Sequence, residues 1–258
     1  MGVEVHALNL PTAVDTVIEA ARAGRPLGVS ALAVHGLVLA SDDLELRYRI
    51  NSLEMVVPDG QAVRWALNWL HNVGLGDRVM GSDLMREVCR RAAEAGLPIF
   101  LFGSEEQTLS LLRQRLEAAF PGLVVAGTQA SRFRPATDSE AKNDANTIRL
   151  AGSRIVFVGL GCPRQEIWTF ENRKALSMPL LAVGAAFDYH AGLIRRAPIW
   201  MQRAGLEWIY RLGQEPTRLW RRYLLLNPRY IVGILLQRLG WRDYPTIGKR
   251  PRAEVRPG

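Results

Sequence analysis

The chain has little cysteine, little histidine and no long apolar run. Of its 258 residues, two are cysteine (Cys89 and Cys162) and four are histidine (His6, His35, His71 and His190). Two cysteines exclude a multi-bridge disulfide framework, and neither sits in a Cys-x-x-Cys pair. The histidines are scattered without zinc-ligand spacing, so neither a structural metal nor a cofactor is expected. A reducing, cytoplasmic setting fits this composition. Met1-Gly-Val-Glu-Val-His-Ala7 lacks a basic stretch ahead of an apolar core, which argues against a signal peptide. No apolar run approaches the ~20 residues needed to span a bilayer. The stretch Ile231 to Leu236 is six residues long and ends at Gln237 and Arg238. Asp-x-Asp is absent too, and Asp43-Leu-Glu45 falls in a stretch of helical pattern. A magnesium-bridged diphosphate would lack its usual paired carboxylates, so arginines would have to neutralise such a ligand.

What the chain does have is length for a large core and an uneven charge. At this length, about 70–75% of the unfolded chain's surface can be buried, and no staple is needed. The net charge of +8 is concentrated at one end. From Arg195 onward there are 14 cations against four acids, whereas the first 194 residues hold 19 cations and 21 acids. A near-neutral body with a basic end suits a surface that meets phosphates, whether of nucleic acid, anionic lipid or a phosphorylated ligand.

Short apolar runs at Ala31–Val34, Met55–Val57, Ile99–Phe102, Leu123–Ala126, Ile155–Val158 and Leu180–Val183 are bounded by Gly, Pro or Asp. Such runs suit strands buried on both faces. Between them lie segments of helical period, for example Leu109, Leu112, Leu116 and Phe120. Ser104-Glu-Glu-Gln107 and Thr137-Asp-Ser-Glu140 both read as capping boxes that start helices. The alternation predicts an α/β fold: a doubly wound, Rossmann-like, mostly parallel sheet with helices on both faces. Ligands of such sheets sit outside the carboxyl ends of the strands. Past Trp200 the pattern becomes three short helices, broken at Pro216 and Pro228, with apolar stripes and arginine-rich opposite faces. From Tyr244 to Gly258 the chain is Pro-, Gly- and cation-rich and reads as disordered.

Strand-end turns supply the candidate site. Gly159-Leu-Gly161-Cys-Pro163-Arg-Gln165-Glu166 joins a strand to a helix, with Pro163 suited to the first helical position. The helix start makes an anion site, toward which Gln165 and Glu166 would point. Gly103 in Phe102-Gly-Ser104 permits close approach of a ligand, and Ser104 serves as a helix cap or a nucleotide contact. Asp59, in Pro58-Asp-Gly60, is either a helix cap or a general base. Asp188 and His190 lie in the loop after the last strand, and His35 ends the first strand. Cys162 shows nothing that would lower its thiol pKa.

These residues resemble the WecG/TagA/CpsF glycosyltransferases. The resemblance rests on Asp59-Gly60, Arg78-Val-Met-Gly-Ser-Asp83, the Phe102-Gly103 loop and Gly159 to Glu166. It continues through Ala197 to Arg203, Gly205 to Arg211 and Glu215 to Tyr223, running from about Val3 to about Tyr230. It implies metal-independent, inverting transfer of a sugar from a UDP-sugar to a polyprenyl-diphosphate-linked glycan at the inner face of the cytoplasmic membrane. Asp59 matches the proposed base of that family. Arg78 and Gln165 match residues lining one pocket. Arg211, Arg218 and Arg221 match arginines of a C-terminal appendage that closes the site and approaches the membrane. The implied organisation is a glycosyltransferase domain (1–196), a basic, helical, membrane-associating appendage (197–243) and a tail (244–258).

Many members carry Thr-x-Asn where this chain has Ala31-Leu-Ala33, and His35 is the polar group left to substitute in that pocket. Met80 also replaces a commoner Thr. The apolar stripes of the appendage can pack on the body, on a second copy in a homo-oligomer, or on lipid. The rival reading is a non-catalytic module whose basic end grips nucleic acid or anionic lipid. No aromatic-interleaved basic stripe or helix-turn-helix accompanies the charge, so nucleic acid is not expected as a partner. A dinucleotide oxidoreductase is disfavoured because Pro163 and Arg164 break the glycine fingerprint.

Overall fold

The computed structural model describes residues 1–251 and 255–258. Six strands are placed by the apolar runs: β1 (Leu27–Leu32), β2 (Met55–Pro58), β3 (Ile99–Phe102), β4 (Val125–Gln129), β5 (Ile155–Val158) and β6 (Pro179–Ala182). They form one sheet of order β2-β1-β6-β5-β3-β4, and every pairing is parallel. All positions of β1, β2, β3, β5 and β6 are buried. The edge strand β4 buries only Val125 and carries the half-buried Thr128 and Gln129 at its carboxyl end.

The two-residue period of the strands divides their side chains between two cores. Ile155 and Phe157 join the layer of α1 (Leu10–Ala23), α5 (Gly81–Ala95), α6 (Glu106–Ala119) and α9 (Ala186–His190). Val156 and Val158 face α7 (Asp138–Leu150) and α8 (Arg164–Leu176). On that same side, Leu32 and Val56 meet α2 (Val34–Asp42) and α3 (Leu44–Asn51). The sheet is therefore doubly wound, as its alternation of patterns implied, and wholly parallel.

Four local expectations are corrected. The first strand is Leu27–Leu32, so Val34 and His35 open α2 instead of ending β1. Gly28 and Ser30 interrupt the apolar run and hid its start, yet both fit the interior. A Cβ on Gly28 would lie 2.8 Å from Leu53, and the Ser30 hydroxyl donates to Glu166 Oε1 at 3.2 Å. Thr137 and Glu140 form their capping box, but Ser104 does not cap α6. Its φ is +66°, because the chain uses Gly103 and Ser104 to turn over the β5 end before α6 begins at Glu106. Pro163 stands at the cap position of α8, one residue before the first helical position, and follows a cis peptide bond. Asp43 lies between helices and caps α3, accepting from the amides of Glu45 (2.8 Å) and Leu46 (3.1 Å).

Beyond the sheet come α10 (Ile199–Arg203), α11 (Glu207–Gln214) and α12 (Pro216–Arg221), then a π-helical turn (Arg222–Leu226) and α13 (Asn227–Arg238). Pro216 starts a helix as expected, but Pro228 does not break one. The wider hydrogen-bond pattern of the π turn precedes Pro228 and accommodates its missing N–H. Residues after Asp243 form no helix or strand among those described, although Pro135 and Pro257 make an isolated bridge. Their backbone meets the body. Pro245 O accepts from Arg47 at 3.1 Å, Thr246 O from Asn51 at 2.9 Å, and Lys249 N donates to Leu44 O at 2.9 Å. The part of the expected tail at 252–254 lies outside the described residues. Among those residues, no helix is long and apolar enough to cross a membrane.

Candidate functional site

The carboxyl ends of β2, β1 and β6 are neighbours, which sets Asp59, Ala33 and Val183 side by side. Two cavities open over this edge. One, of about 720 Å³, lies over the Gly159–Gly161 turn toward Asp188, Glu215 and Arg218. The other, of about 750 Å³, is walled by Trp65, Trp69, Arg78, Glu207, Ile231 and Leu235. Asp59, Arg211 and Arg222 line both. Asp59 thus borders two chambers at once.

Asp59 does not cap the following helix. Gly60 takes the cap position of α4 (Gln61–His71) with φ +113° and makes no side-chain cap bond. The Asp59 amide is anchored to Leu32 O at 3.2 Å, leaving its carboxyl for other work. Burial pushes that carboxyl up to about 6. Arg78 opposes the shift most strongly and Glu207 adds to it, with Arg211 and Arg222 opposing. A carboxylate poised there is a competent general base near neutral pH.

The glycine turns are packed against each other. A Cβ on Gly103 (φ +102°) would lie 2.9 Å from Gly159 C, and one on Gly159 would lie 2.6 Å from the Phe187 ring. Gly103 therefore serves backbone packing and lines neither cavity, while Ser104, Gly159 and Gly161 line the polar one. Gln165 and Glu166 also line it. Gln165 Nε2 donates to Glu166 Oε1 at 2.9 Å, and Gln165 Oε1 is buried without a hydrogen-bond partner among the described residues. Burial raises the pKa of Glu166 and of Asp188, against a lowering by Arg218 at Asp188. It also holds the Cys162 thiol protonated, so that sulfur is no nucleophile.

The arginines separate in a way that spacing alone did not show. Arg78 and Gln165, expected in one pocket, lie in different cavities that meet at Asp59. Arg78 Nη2 donates to Glu207 Oε2 at 2.6 Å. Arg211 lies 5.3 Å over the Tyr189 ring, and it shares Glu215 with Arg218, at 3.2 and 2.6 Å. Arg221 lies 5.2 Å over Trp220 and lines neither cavity; Arg222 takes its place. Positions 218 and 222 are four apart, a helical neighbour spacing as good as the three from 218 to 221.

His35 lines the apolar cavity. Burial, with Arg222 adding, lowers its pKa to about 4, and its Nδ1 has no partner among the described residues. It is a neutral imidazole with a spare polar atom. His190 is committed elsewhere, its Nε2 lying 2.8 Å from Ser82 O. Sequence reasoning missed Glu207, Arg222 and the aromatic wall of Trp65, Trp208 and Tyr223. Glu207 is the first residue of a short helix and reads as an ordinary helix-start acid. Among the described residues, no three His, Cys, Asp or Glu side chains converge as a metal site would require.

Residues 1–244 match the family model described as the glycosyl transferase WecG/TagA/CpsF family. The chain belongs to that family and is a glycosyltransferase by membership.

Proposed function

From this membership we propose that the protein moves a sugar from a UDP-sugar to a polyprenyl-diphosphate-linked glycan in cell-surface polysaccharide assembly, with inversion and without a metal. The observation that carries the reading is the position of Asp59 between a polar cavity and an apolar one. The donor occupies the polar cavity, with its diphosphate toward Arg211, Arg218 and Arg222. The acceptor sugar enters from the apolar cavity, whose Trp65, Trp69, Ile231 and Leu235 suit the prenyl side of a lipid-linked substrate.

Asp59 takes the proton of an acceptor hydroxyl as its oxygen attacks the anomeric carbon. The bond from that carbon to the UDP oxygen breaks on the opposite side, so the configuration inverts. Negative charge grows on the departing diphosphate, where the arginines stabilise it through charge-assisted hydrogen bonds. Along the C-terminal segment Trp200, Trp220, Leu224, Ile231 and Trp241 are exposed, interleaved in the chain with the exposed Arg203, Arg221, Arg238 and Arg242, and Leu224 and Ile231 line the apolar cavity. Each cation near an anionic lipid surface adds about 1 kcal/mol. This supports peripheral contact with the inner face of the cytoplasmic membrane.

The test is UDP release from a panel of UDP-sugars with a short-chain polyprenyl-diphosphate-sugar acceptor, in EDTA, for wild type and Asp59→Asn. Acceptor-dependent release that survives EDTA and collapses in the variant is the expected result. Release that needs added metal, or that Asp59→Asn leaves intact, overturns the proposed mechanism.

A further inference from the structure

Glu207 belongs to no element of the mechanism above, yet it stands in the wall of the acceptor cavity beside Asp59 and Arg78. Its side chain is 12% exposed and that of Arg78 is 7% exposed. Arg78 engages one carboxylate oxygen, Oε2, at 2.6 Å. The other, Oε1, is buried and has no hydrogen-bond partner among the described residues. An arginine can take both oxygens of a carboxylate at once. Here it takes one and leaves the second without a donor, in a residue that lines a chamber with Trp65, Trp208 and Tyr223. A buried carboxyl oxygen without a donor is a costly arrangement that a ligand O–H or N–H would relieve.

We propose that Glu207 is an acceptor-specificity residue. Its Oε1 accepts a hydrogen bond from a hydroxyl or amide N–H of the acceptor sugar, and Arg78 fixes the carboxylate for that purpose. The inference rests on the acceptor cavity assigned above and names one contact within it. Because Oε2 is held, the angle of the second oxygen is set before substrate arrives, which orients the attacking hydroxyl toward Asp59. Glu207 has a second effect through charge. Asp59 is faced by Arg78, Arg211, Arg222, the Tyr189 hydroxyl and Glu207, and Glu207 offsets part of the arginine field. With Glu207 neutral, that field holds the Asp59 proton less tightly.

Glu207→Gln changes the polarity of this site with little change in shape. Its amide oxygen must turn to Arg78, so its NH2 replaces the free acceptor with a donor. The experiment compares wild type and Glu207→Gln on a polyprenyl-diphosphate-linked monosaccharide and on its single-deoxy and N-deacylated analogues, with UDP binding as a check on folding. In wild type, one analogue loses kcat/KM by about tenfold or more. In Glu207→Gln that analogue and the parent sugar become equivalent, donor KM is unchanged, and the acid limb of kcat/KM moves to lower pH.

Glu207→Asp keeps the charge but withdraws the oxygen. It abolishes the discrimination while leaving the acid limb in place, and it carries the test if the glutamine variant fails to bind UDP. An unchanged analogue pattern in both variants overturns the inference while wild-type turnover keeps the proposed function. No acceptor-dependent turnover in wild type overturns both.

Discussion

The two walls of the site are built on opposite principles. The sheet-side wall is fixed by packing: five of the six strands are buried at every position, and Gly103 and Gly159 leave no room for a methyl group. The facing wall comes from α10 to α13, of which α10, α11 and the π turn bury no residue. Ion pairs tie it to the body, namely Arg78 with Glu207 (2.6 Å), Arg196 with Asp83 (2.7 Å) and Arg229 with Asp42 (2.9 Å). The two more exposed pairs, Arg196 with Asp83 and Arg229 with Asp42, are worth about 0–1 kcal/mol each. Under the proposed function the stiff wall supplies the glycine-turn floor of the donor cavity, while Arg211, Arg218 and Arg222, assigned to the diphosphate, stand on the wall with less packing. The cavity proposed to admit a lipid-linked sugar is closed by that same wall.

The contrast breaks most visibly at the residue the walls share. Asp59→Asn should lower turnover by about 10²–10⁴-fold, measured as UDP release, while leaving the fold intact. Its melting temperature at pH 8 should rise. A carboxyl pushed up to about 6 is stabilising while protonated, and that contribution is lost as pH rises through about 6. The asparagine variant escapes this loss, so its gain is full above that pH and fades toward pH 4. Turnover of wild type should carry an acid limb near pH 6 in kcat/KM, whereas a limb near pH 4 would deny Asp59 the role of base.

The stiff wall answers to a single methyl group. Gly103→Ala should destabilise the protein by about 1–3 kcal/mol in denaturant unfolding, since its Cβ would meet Gly159 and the backbone is left-handed there. The helical wall should tolerate far larger changes. Ile231→Ser with Leu224→Ser should leave unfolding within about 0.5 kcal/mol of wild type and weaken binding to anionic vesicles in sedimentation assays. The exposed pair matters little as well. Arg229→Ala should change stability by less than about 1 kcal/mol, and a larger loss would mean that this wall is pinned more firmly than its burial indicates.

Strands and turns were legible in the sequence because their signals are local. Four of the six apolar runs match their strands to within one residue, Leu123–Ala126 shares only Val125 and Ala126 with β4, and Gly159 to Glu166 marked a strand-to-helix turn at the site. β1 was read late because Gly28 and Ser30 are interior residues whose reasons lie more than 20 positions away, at Leu53 and Glu166. Ser104 was read as a cap because its motif fits one, although its left-handed backbone puts it outside the helix.

What the sequence determined by itself was the sheet, its glycine turns and the basic end of the chain; it left Asp59 open between helix cap and base, and the base role came from the family resemblance. Sheet, turns and basic end depend on side-chain period, turn chemistry and charge count, which are properties of neighbours along the chain. Only the tertiary structure decided that Asp59 borders two cavities, that Arg222 rather than Arg221 reaches them, and that Arg78 is held by Glu207 across 129 positions. The physical reason is the strand order. Placing β2, β1 and β6 side by side joins chain ends that no local pattern relates, and the C-terminal helices then close over that edge.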